Sequence, residues 1–188
     1  MIRYRWHGGG NWQRVLDFGN NTSEYLMLTP SNGGGQTEFR ITTGGSATAQ
    51  SLFAPASPVD EWVHAVITLS GNTGSLYLNG VLVDTVTMAL NPQDIAPTFS
   101  YLGKSQWPDP LFDGEIDDFK IYSRALSANE VRLLARGSDA ATVEPGYAFW
   151  AEGYLFESST EAEWSEDPDK DGILNVFEWL FDTHPLNR

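Results

Sequence analysis

Short runs that alternate apolar and polar residues recur along the first three quarters of the chain, with turn residues between them. Alternation with a period of two is typical of β-strands that bury one face. The runs cover residues 12–18, 24–28, 37–43, 61–69, 75–78, 81–83, 99–103 and 115–122. Seven or more short strands without intervening helices predict a mainly β fold, namely an antiparallel β-sandwich or jelly roll.

The Asn79-Gly80 pair gives the strongest local turn signal. It lies between Ser75–Leu78 and Val81–Val83, two runs of strand character. A two-residue hairpin turn of type I′ needs positive φ at both central residues, which asparagine and glycine tolerate best. The sequence therefore predicts a tight hairpin at this point.

One short helix is predicted after the last strand. Ser127 and Glu130 have the spacing of a capping box, in which the serine hydroxyl accepts from the Glu130 amide and the Glu130 side chain reaches back. Val131 and Leu134 form an apolar stripe, and Gly137 is a natural stop signal. We expect this helix to dock on the edge of the sandwich.

Composition excludes several classes of function. The chain has 188 residues, a net charge of −14 and no cysteine. Nucleic-acid-binding surfaces are basic, so this charge argues against nucleic acid as a partner. The lack of cysteine excludes disulfides, thiolate zinc sites and a cysteine nucleophile. The sequence has no apolar run of 18 residues, which argues against a membrane-spanning helix.

The acidic residues are concentrated towards the C-terminus. Residues 145–188 hold ten acidic and two basic side chains, a net charge of −8. The composition changes within the small and polar stretch 138–145, which is typical of a linker. We therefore predict a β-sandwich over residues 1–137, a linker over 138–145 and an acidic module over 146–188.

Four stretches carry a family resemblance: Trp12–Gly19, Trp62–Val66, Gly74–Gly80 and Gly114–Ser127. Together they resemble a laminin-G-like, concanavalin A-like jelly roll over roughly residues 3–135. The resemblance implies carbohydrate or protein binding in large secreted proteins, more often than catalysis. Members of the family have several strands ahead of the position of Tyr4. We therefore expect an unpaired edge or a gap in one sheet, and whether Met1 is the true start stays open.

Some relatives of this architecture are glycosidases, so the catalytic pattern needs attention. Those enzymes carry Glu-x-Asp-x-x-Glu on one strand, and a retaining pair of carboxyl groups stands about 5–5.5 Å apart. Here Glu115 and Asp117 begin the pattern, but Lys120 occupies the position of the acid. The sequence thus predicts no catalytic residue and a non-enzymatic protein. Two interpretations stay open for Asp117 and Asp118: they form hydrogen bonds with the backbone, or they bind a structural calcium ion.

Trp107 is the predicted ligand-binding residue of the β-rich part. It lies in the loop segment Ser105–Pro110, where a role in the core is less forced than on a strand. Sugars present apolar C–H faces that stack on aromatic rings, while polar groups around the ring bond the hydroxyls. The alternative is that Trp107 only anchors its loop.

A calcium loop is predicted at residues 167–178, which match Asp-x-Asp-x-Asp-Gly-x5-Glu at every constrained position. Calcium takes about seven oxygen ligands. The predicted ligands are the carboxylates of Asp167, Asp169, Asp171 and Glu178, the carbonyl oxygen of Ile173, and Asn175 directly or through water. Four carboxylates would repel one another without a cation. The alternative is a solvated acidic turn.

The C-terminal segment resembles the single calcium loops of EF-hand, dockerin-like and thrombospondin type 3-like segments. It is also similar to the C-terminal tails of many large secreted bacterial proteins, and Asp182–Pro185 fits that ending. A dockerin has two such loops, so one loop leaves a cohesin partner in doubt.

The sequence therefore predicts a non-enzymatic, lectin-like module that is extracellular or at the cell surface. Its partners would be a carbohydrate or polysaccharide, or a cell-surface protein, within a larger multidomain protein whose tail is ordered by calcium. Two alternatives stay open. One is a fragment of a glycoside hydrolase or another polysaccharide-processing enzyme, and the other is a structural or assembly segment of a large surface protein.

The calcium loop leads to a direct prediction. Isothermal titration of the chain with calcium should show one bound ion, and the thermal transition should rise because the ion binds only the folded loop. The double variant Asp169→Ala, Glu178→Ala removes two carboxylate ligands and should abolish both effects. A wild-type chain that gives neither heat nor a thermal shift would refute the site.

Overall fold

The computed structural model describes residues 1–136 together with Pro168 and Lys170. The first unit of the chain, Met1–Arg136, holds every element discussed below. Its strands are β1 (Ile2–Trp6), β2 (Leu16–Asn21), β3 (Glu24–Thr29), β4 (Gln36–Thr42), β5 (Gln50–Pro55), β6 (Trp62–Ser70), β7 (Thr73–Leu78), β8 (Val81–Thr87), β9 (Phe99–Leu102) and β10 (Gly114–Phe119). The helices are α1 (Pro92–Ile95), α2 (Ala128–Ala135) and a 3₁₀ turn at Ser46–Thr48.

The ten strands form two five-stranded antiparallel sheets. The first sheet has the order β10-β1-β6-β7-β8, and the second has the order β5-β4-β3-β2-β9. This confirms the predicted mainly β sandwich. The expected gap is not present in either described sheet, because β1 lies inside the first sheet and pairs with β10 on one side and β6 on the other.

The core lies between the two sheets and follows from the alternation of side chains along each strand. In β1, Ile2, Tyr4 and Trp6 point inwards and are buried. The second sheet contributes Leu16, Leu26, Leu28, Phe39, Ile41, Leu52 and Ala54. The residues between these positions point to the outer face of the second sheet. β1 and β5 were missed as strands in the sequence, although β1 alternates apolar and basic residues. β5 is apolar from Leu52 to Pro55 and shows no such alternation.

The predicted hairpin is confirmed at Asn79-Gly80. Asn79 has a φ of 51° and Gly80 has a φ of 83°, the two positive values that a type I′ turn requires. The Asn79 side chain also accepts a hydrogen bond of 2.8 Å from the backbone N–H of His64, and the Asn79 N–H donates to the His64 carbonyl. The turn is therefore tied to the neighbouring strand β6.

The predicted helix is confirmed as α2. Both halves of the capping box form between Ser127 and Glu130, and Val131 and Leu134 are buried. A second helix of the sandwich, α1, was not predicted, and it forms at Pro92–Ile95 after a capping box from Asn91. One turn of helix is too short to give an apolar period in the sequence.

The segment before β2 is not a strand, which corrects the predicted run over residues 12–18. The strand begins only at Leu16. Trp12 has a φ of 67°, a left-handed conformation that a bulky residue rarely adopts and that ends any strand. Among the residues that the structure describes, no helix has the length and apolar character needed to cross a membrane.

His64 is a buried histidine whose ring nitrogens have no hydrogen-bond partner among the described residues. Its side chain lies on β6, on the face opposite the core residues Val63 and Ala65. Burial lowers the pKa of His64 from 6.5 to about 4, and the nearby positive charge of Arg3 acts in the same direction. The neutral ring is therefore the form that the fold accepts.

The sign of the pH effect follows from this shift. The folded pKa lies below the unfolded one, so the stability is complete above about pH 6.5 and is lost as the pH falls towards 4. Between pH 7.5 and 4.5, protonation of His64 should cost about 2–3 kcal/mol of the free energy of unfolding. Urea unfolding of the wild type and of His64→Leu at both pH values measures it. Equal losses in the two proteins would contradict the assignment to His64.

Candidate functional site

The outer face of the second sheet carries polar and aromatic side chains that are unusually well buried. Asp17, Met27 and Glu38 lie on this face and have no exposed surface, and Tyr25 is 2% exposed. Two segments, residues 8–15 and 103–110, place side chains over these residues. On this face, buried charged side chains are therefore covered by two loop segments that carry aromatic rings.

Arg14 lies close to two indole rings on this face. Its guanidinium carbon lies 5.3 Å from the ring centre of Trp12 and 5.5 Å from that of Trp107. Cations attract the negative faces of aromatic rings at such distances. Although it is an arginine, Arg14 is only 4% exposed. It therefore joins the two covering segments.

Two carboxylates hold the Arg14 charge. Asp109 lies 3.2 Å and Asp17 3.8 Å from guanidinium nitrogens. Burial lowers the pKa of Arg14, and the two carboxylates oppose that effect. A buried charge without such partners would be strongly destabilising, so the three residues form one unit.

Asp17 also fixes the segment that carries Trp107. Its carboxylate accepts hydrogen bonds from the backbone N–H of Gln106 at 3.1 Å and from the Gln106 side chain at 2.7 Å. Burial raises the pKa of Asp17, and the bonds from Gln106 oppose the rise. The hydroxyl of Ser105 donates to Asp109 and accepts from the Trp107 N–H. Trp107 is therefore held in one position.

Two hydrogen bonds to the backbone of Trp12 fix its left-handed conformation, one with a backbone carbonyl and one with the Arg14 side chain. The Trp12 N–H donates to the Ser31 carbonyl at 2.8 Å, and its carbonyl accepts from Arg14 at 2.5 Å. Its indole lies 5.6 Å from the guanidinium of Arg40, which pairs with the buried Glu38. Backbone strain of this kind is typical of ligand-binding positions. The indole is partly exposed at the surface.

An open depression of about 490 Å³ lies on the β9 side of this face. Ten residues line it: Asn20, Asn21, Thr22, Phe99, Tyr101, Lys104, Ser105, Gln106, Trp107 and Pro108. The rings of Phe99 and Tyr101 are stacked with their centres 6.0 Å apart. The ammonium of Lys104 lies 4.6 Å from the ring centre of Tyr101. The depression thus combines planar apolar walls with polar groups.

Gly19 leaves room for the edge of this depression. A Cβ atom at Gly19 would lie 2.6 Å from Nε2 of Gln106 and 2.5 Å from the Glu24 carbonyl oxygen, which is closer than atoms tolerate. Gly19 pairs with Phe99 across the two strands. A side chain here would displace Gln106 from Asp17, so the glycine is required by the packing of the site.

Trp107, predicted as a ligand-binding residue, lines the depression. Its ring packs edge-on against Tyr25 with the centres 4.8 Å apart, and it stays partly exposed. Its role in binding stays a prediction. The predicted calcium ligands, at positions 167, 169, 171, 173, 175 and 178, lie outside the described residues.

The carboxylates of the incomplete glycosidase pattern lie on the other sheet. Glu115 pairs with Arg5 at 2.5 Å and Asp117 pairs with Arg3 at 3.3 Å, on strands β10 and β1. Asp118 lies 3.9 Å from Lys120. Among the described residues, no group of three or more histidine, aspartate or glutamate side chains is arranged to hold a metal ion.

Sequence reasoning missed Trp12, Arg14, Tyr101 and Lys104 as site residues. Trp12 is an aromatic residue at the start of a strand-like run and Tyr101 is one inside such a run, and this was the available signal. Arg14 gave none, because its carboxylate Asp109 lies 95 positions away in the chain. The alternation of the run 99–103 does place Phe99 and Tyr101 on one face.

Several solved structures share the fold. The CBM40 module of the IT-sialidase from Ruminococcus gnavus is 19% identical, with a TM-score of 0.61, over 71% of this chain and 79% of that chain. Domain 4 of AbnA, an extracellular arabinanase of Geobacillus stearothermophilus, is 22% identical with a TM-score of 0.60, over 71% and 64%. A carbohydrate-binding protein candidate from Bacteroides ovatus is 14% identical with a TM-score of 0.52, over 70% and 38%. Curated proteins give no significant match.

The family comparison covers the described part of the chain. The sequence model of the concanavalin A-like lectin/glucanases superfamily matches residues 4–132. That range runs from the first strand to α2 and includes both sheets and every residue of the face described above. By this match over more than half of its length, the chain belongs to the concanavalin A-like lectin/glucanases superfamily.

Proposed function

We propose that the protein is a carbohydrate-binding module and that a sugar binds in the depression on the outer face of the second sheet. One observation carries the proposal. Three aromatic rings, those of Phe99, Tyr101 and Trp107, meet around an open depression whose other walls are amide, hydroxyl and ammonium groups.

This composition fits the chemistry of a saccharide. A pyranose ring presents apolar C–H faces and a rim of hydroxyl groups. Aromatic rings of fixed orientation supply a large contact area at little entropic cost, and a few polar groups fix the orientation of the ligand. Trp107 meets the first requirement because Asp17, Ser105 and Tyr25 already hold its segment in place. The binding surface is therefore formed before the ligand arrives.

The neighbours in structure support the same kind of ligand. The R. gnavus module has been solved with sialyllactose, and the arabinanase domain with arabinotriose. At their level of identity these structures share the fold with this chain. The proposal for this chain depends on its own depression, to which they lend support.

Calcium binding at residues 167–178 forms part of the proposal. The spacing of Asp167, Asp169, Asp171 and Glu178 in the sequence supports it. A calcium-ordered tail next to a sugar-binding sandwich fits an extracellular or cell-surface protein with several domains. Catalysis is not included, because Glu115 and Asp117 are engaged by arginines on the opposite sheet.

The proposal predicts which substitutions abolish binding. Tyr101→Ala and Trp107→Ala each remove an aromatic wall, and each should weaken binding of the best saccharide from a glycan array about tenfold or more. Affinity is measured by isothermal titration of the full chain in the presence of calcium. Thermal melting of each variant shows that the loss is not a loss of fold.

The matched control is Trp62→Ala, which removes an indole from the outer face of the first sheet, where Arg3 and Arg5 cover it. Its affinity for the saccharide should equal that of the wild type. If Trp62→Ala abolishes binding while Tyr101→Ala and Trp107→Ala do not, the sugar site lies elsewhere. A broad array on which the wild type binds no glycan would reject the function itself.

A further inference from the structure

We infer that the depression selects an acidic saccharide, one that carries a carboxylate, over its neutral counterpart. This inference rests on the proposed function, since it names the class of sugar that the same site takes. The residue that carries the selection is Lys104.

Lys104 supplies a positive charge that no carboxylate of residues 1–136 neutralises. Its side chain is exposed, and within the described part of the chain no aspartate or glutamate lies within ion-pairing distance of it. The contact it does make is with the face of Tyr101, at 4.6 Å. A cation–aromatic contact at an exposed site is weak, whereas an ammonium–carboxylate bond is charge-assisted. A ligand carboxylate can therefore compete for the ammonium.

The ten lining residues include no acidic side chain. This is notable because residues 1–136 contain 13 acidic and nine basic side chains, for a net charge of −4. The lining of the depression thus has a net positive charge, whereas residues 1–136 as a whole have a net negative charge. Opposite charge at a binding site favours the matching ligand and disfavours others.

The acids nearest to the lining are already engaged by other groups. Asp17 is buried and binds Gln106 and Arg14, and Asp109 binds Arg14 and Ser105. Glu24 accepts a hydrogen bond of 3.0 Å from Asn20. The charges of Asp17 and Asp109 are therefore offset in part by Arg14, whereas Glu24 keeps its charge and opposes a negative ligand from the Asn20 side.

The position of Lys104 also suits the shape of an acidic sugar. A carboxylate on a pyranose projects from the edge of the ring and leaves the C–H faces free. A sugar that stacks on an aromatic wall of the depression can thus keep its carboxylate directed at an ammonium in the same depression. Stacking and charge pairing act on different parts of one ligand.

The test compares paired ligands on the full chain with calcium present. The pairs are trigalacturonate with its methyl ester, and sialyllactose with the methyl ester of its sialic acid carboxylate. We expect the acidic member of at least one pair to bind about tenfold more tightly, and the preference to shrink as salt is added. Lys104→Gln should remove the preference and keep any affinity for the neutral member. Lys104→Arg, which keeps the charge, should retain the preference.

Arg132→Gln is the control for net charge, since it removes one positive charge from α2, outside the lining of the depression. It should leave the preference unchanged. Equal binding of acidic and neutral members, or a preference that survives in Lys104→Gln, would overturn the inference and leave the proposed function intact. Binding of no saccharide at all would instead reject the proposed function, and the inference with it.

Discussion

The buried charge of Arg14 is the constraint on which the arrangement of the outer face of the second sheet depends. A guanidinium at 4% exposure needs carboxylate partners, and Asp17 and Asp109 supply them from β2 and from the loop ahead of β10. Breaking a buried ion pair by removing one partner generally costs 3–5 kcal/mol. The same charge lies close to the rings of Trp12 and Trp107 and helps to hold both. The buried ion pairs of Arg14 thus help to determine the positions of the Trp12 and Trp107 rings at the surface.

The outer faces of the two sheets carry different kinds of side chains. On the first sheet, Glu115 and Asp117 of β10 are matched by Arg5 and Arg3 of β1, so acid and base cancel in adjacent strands. On the second sheet the charges are buried and the aromatic rings are accessible. This explains why an acidic motif on a strand, the most visible pattern in the sequence of the sandwich, does not coincide with the depression. The incomplete glycosidase pattern and the proposed sugar-binding depression lie on opposite sides of the core.

The parts that sequence could predict are those set by neighbouring residues. Alternation predicted most strands, Asn79-Gly80 predicted the hairpin, and the spacing of Ser127 and Glu130 predicted the start of α2. The site depends instead on partners far apart in the chain, since Asp17 and Gln106 are separated by 89 positions. Trp12 shows a second limit of prediction from sequence. Its apolar run suggested a strand, but a distant hydrogen bond to Ser31 and a local one from the Arg14 side chain hold it in a left-handed conformation.

The shared guanidinium has a consequence for optical measurements. Trp12 and Trp107 both lie close to the guanidinium of Arg14, although 94 residues lie between them in the chain. A ligand that displaces this guanidinium would change the surroundings of both indoles. The fluorescence emission of the two rings would therefore change together on such binding.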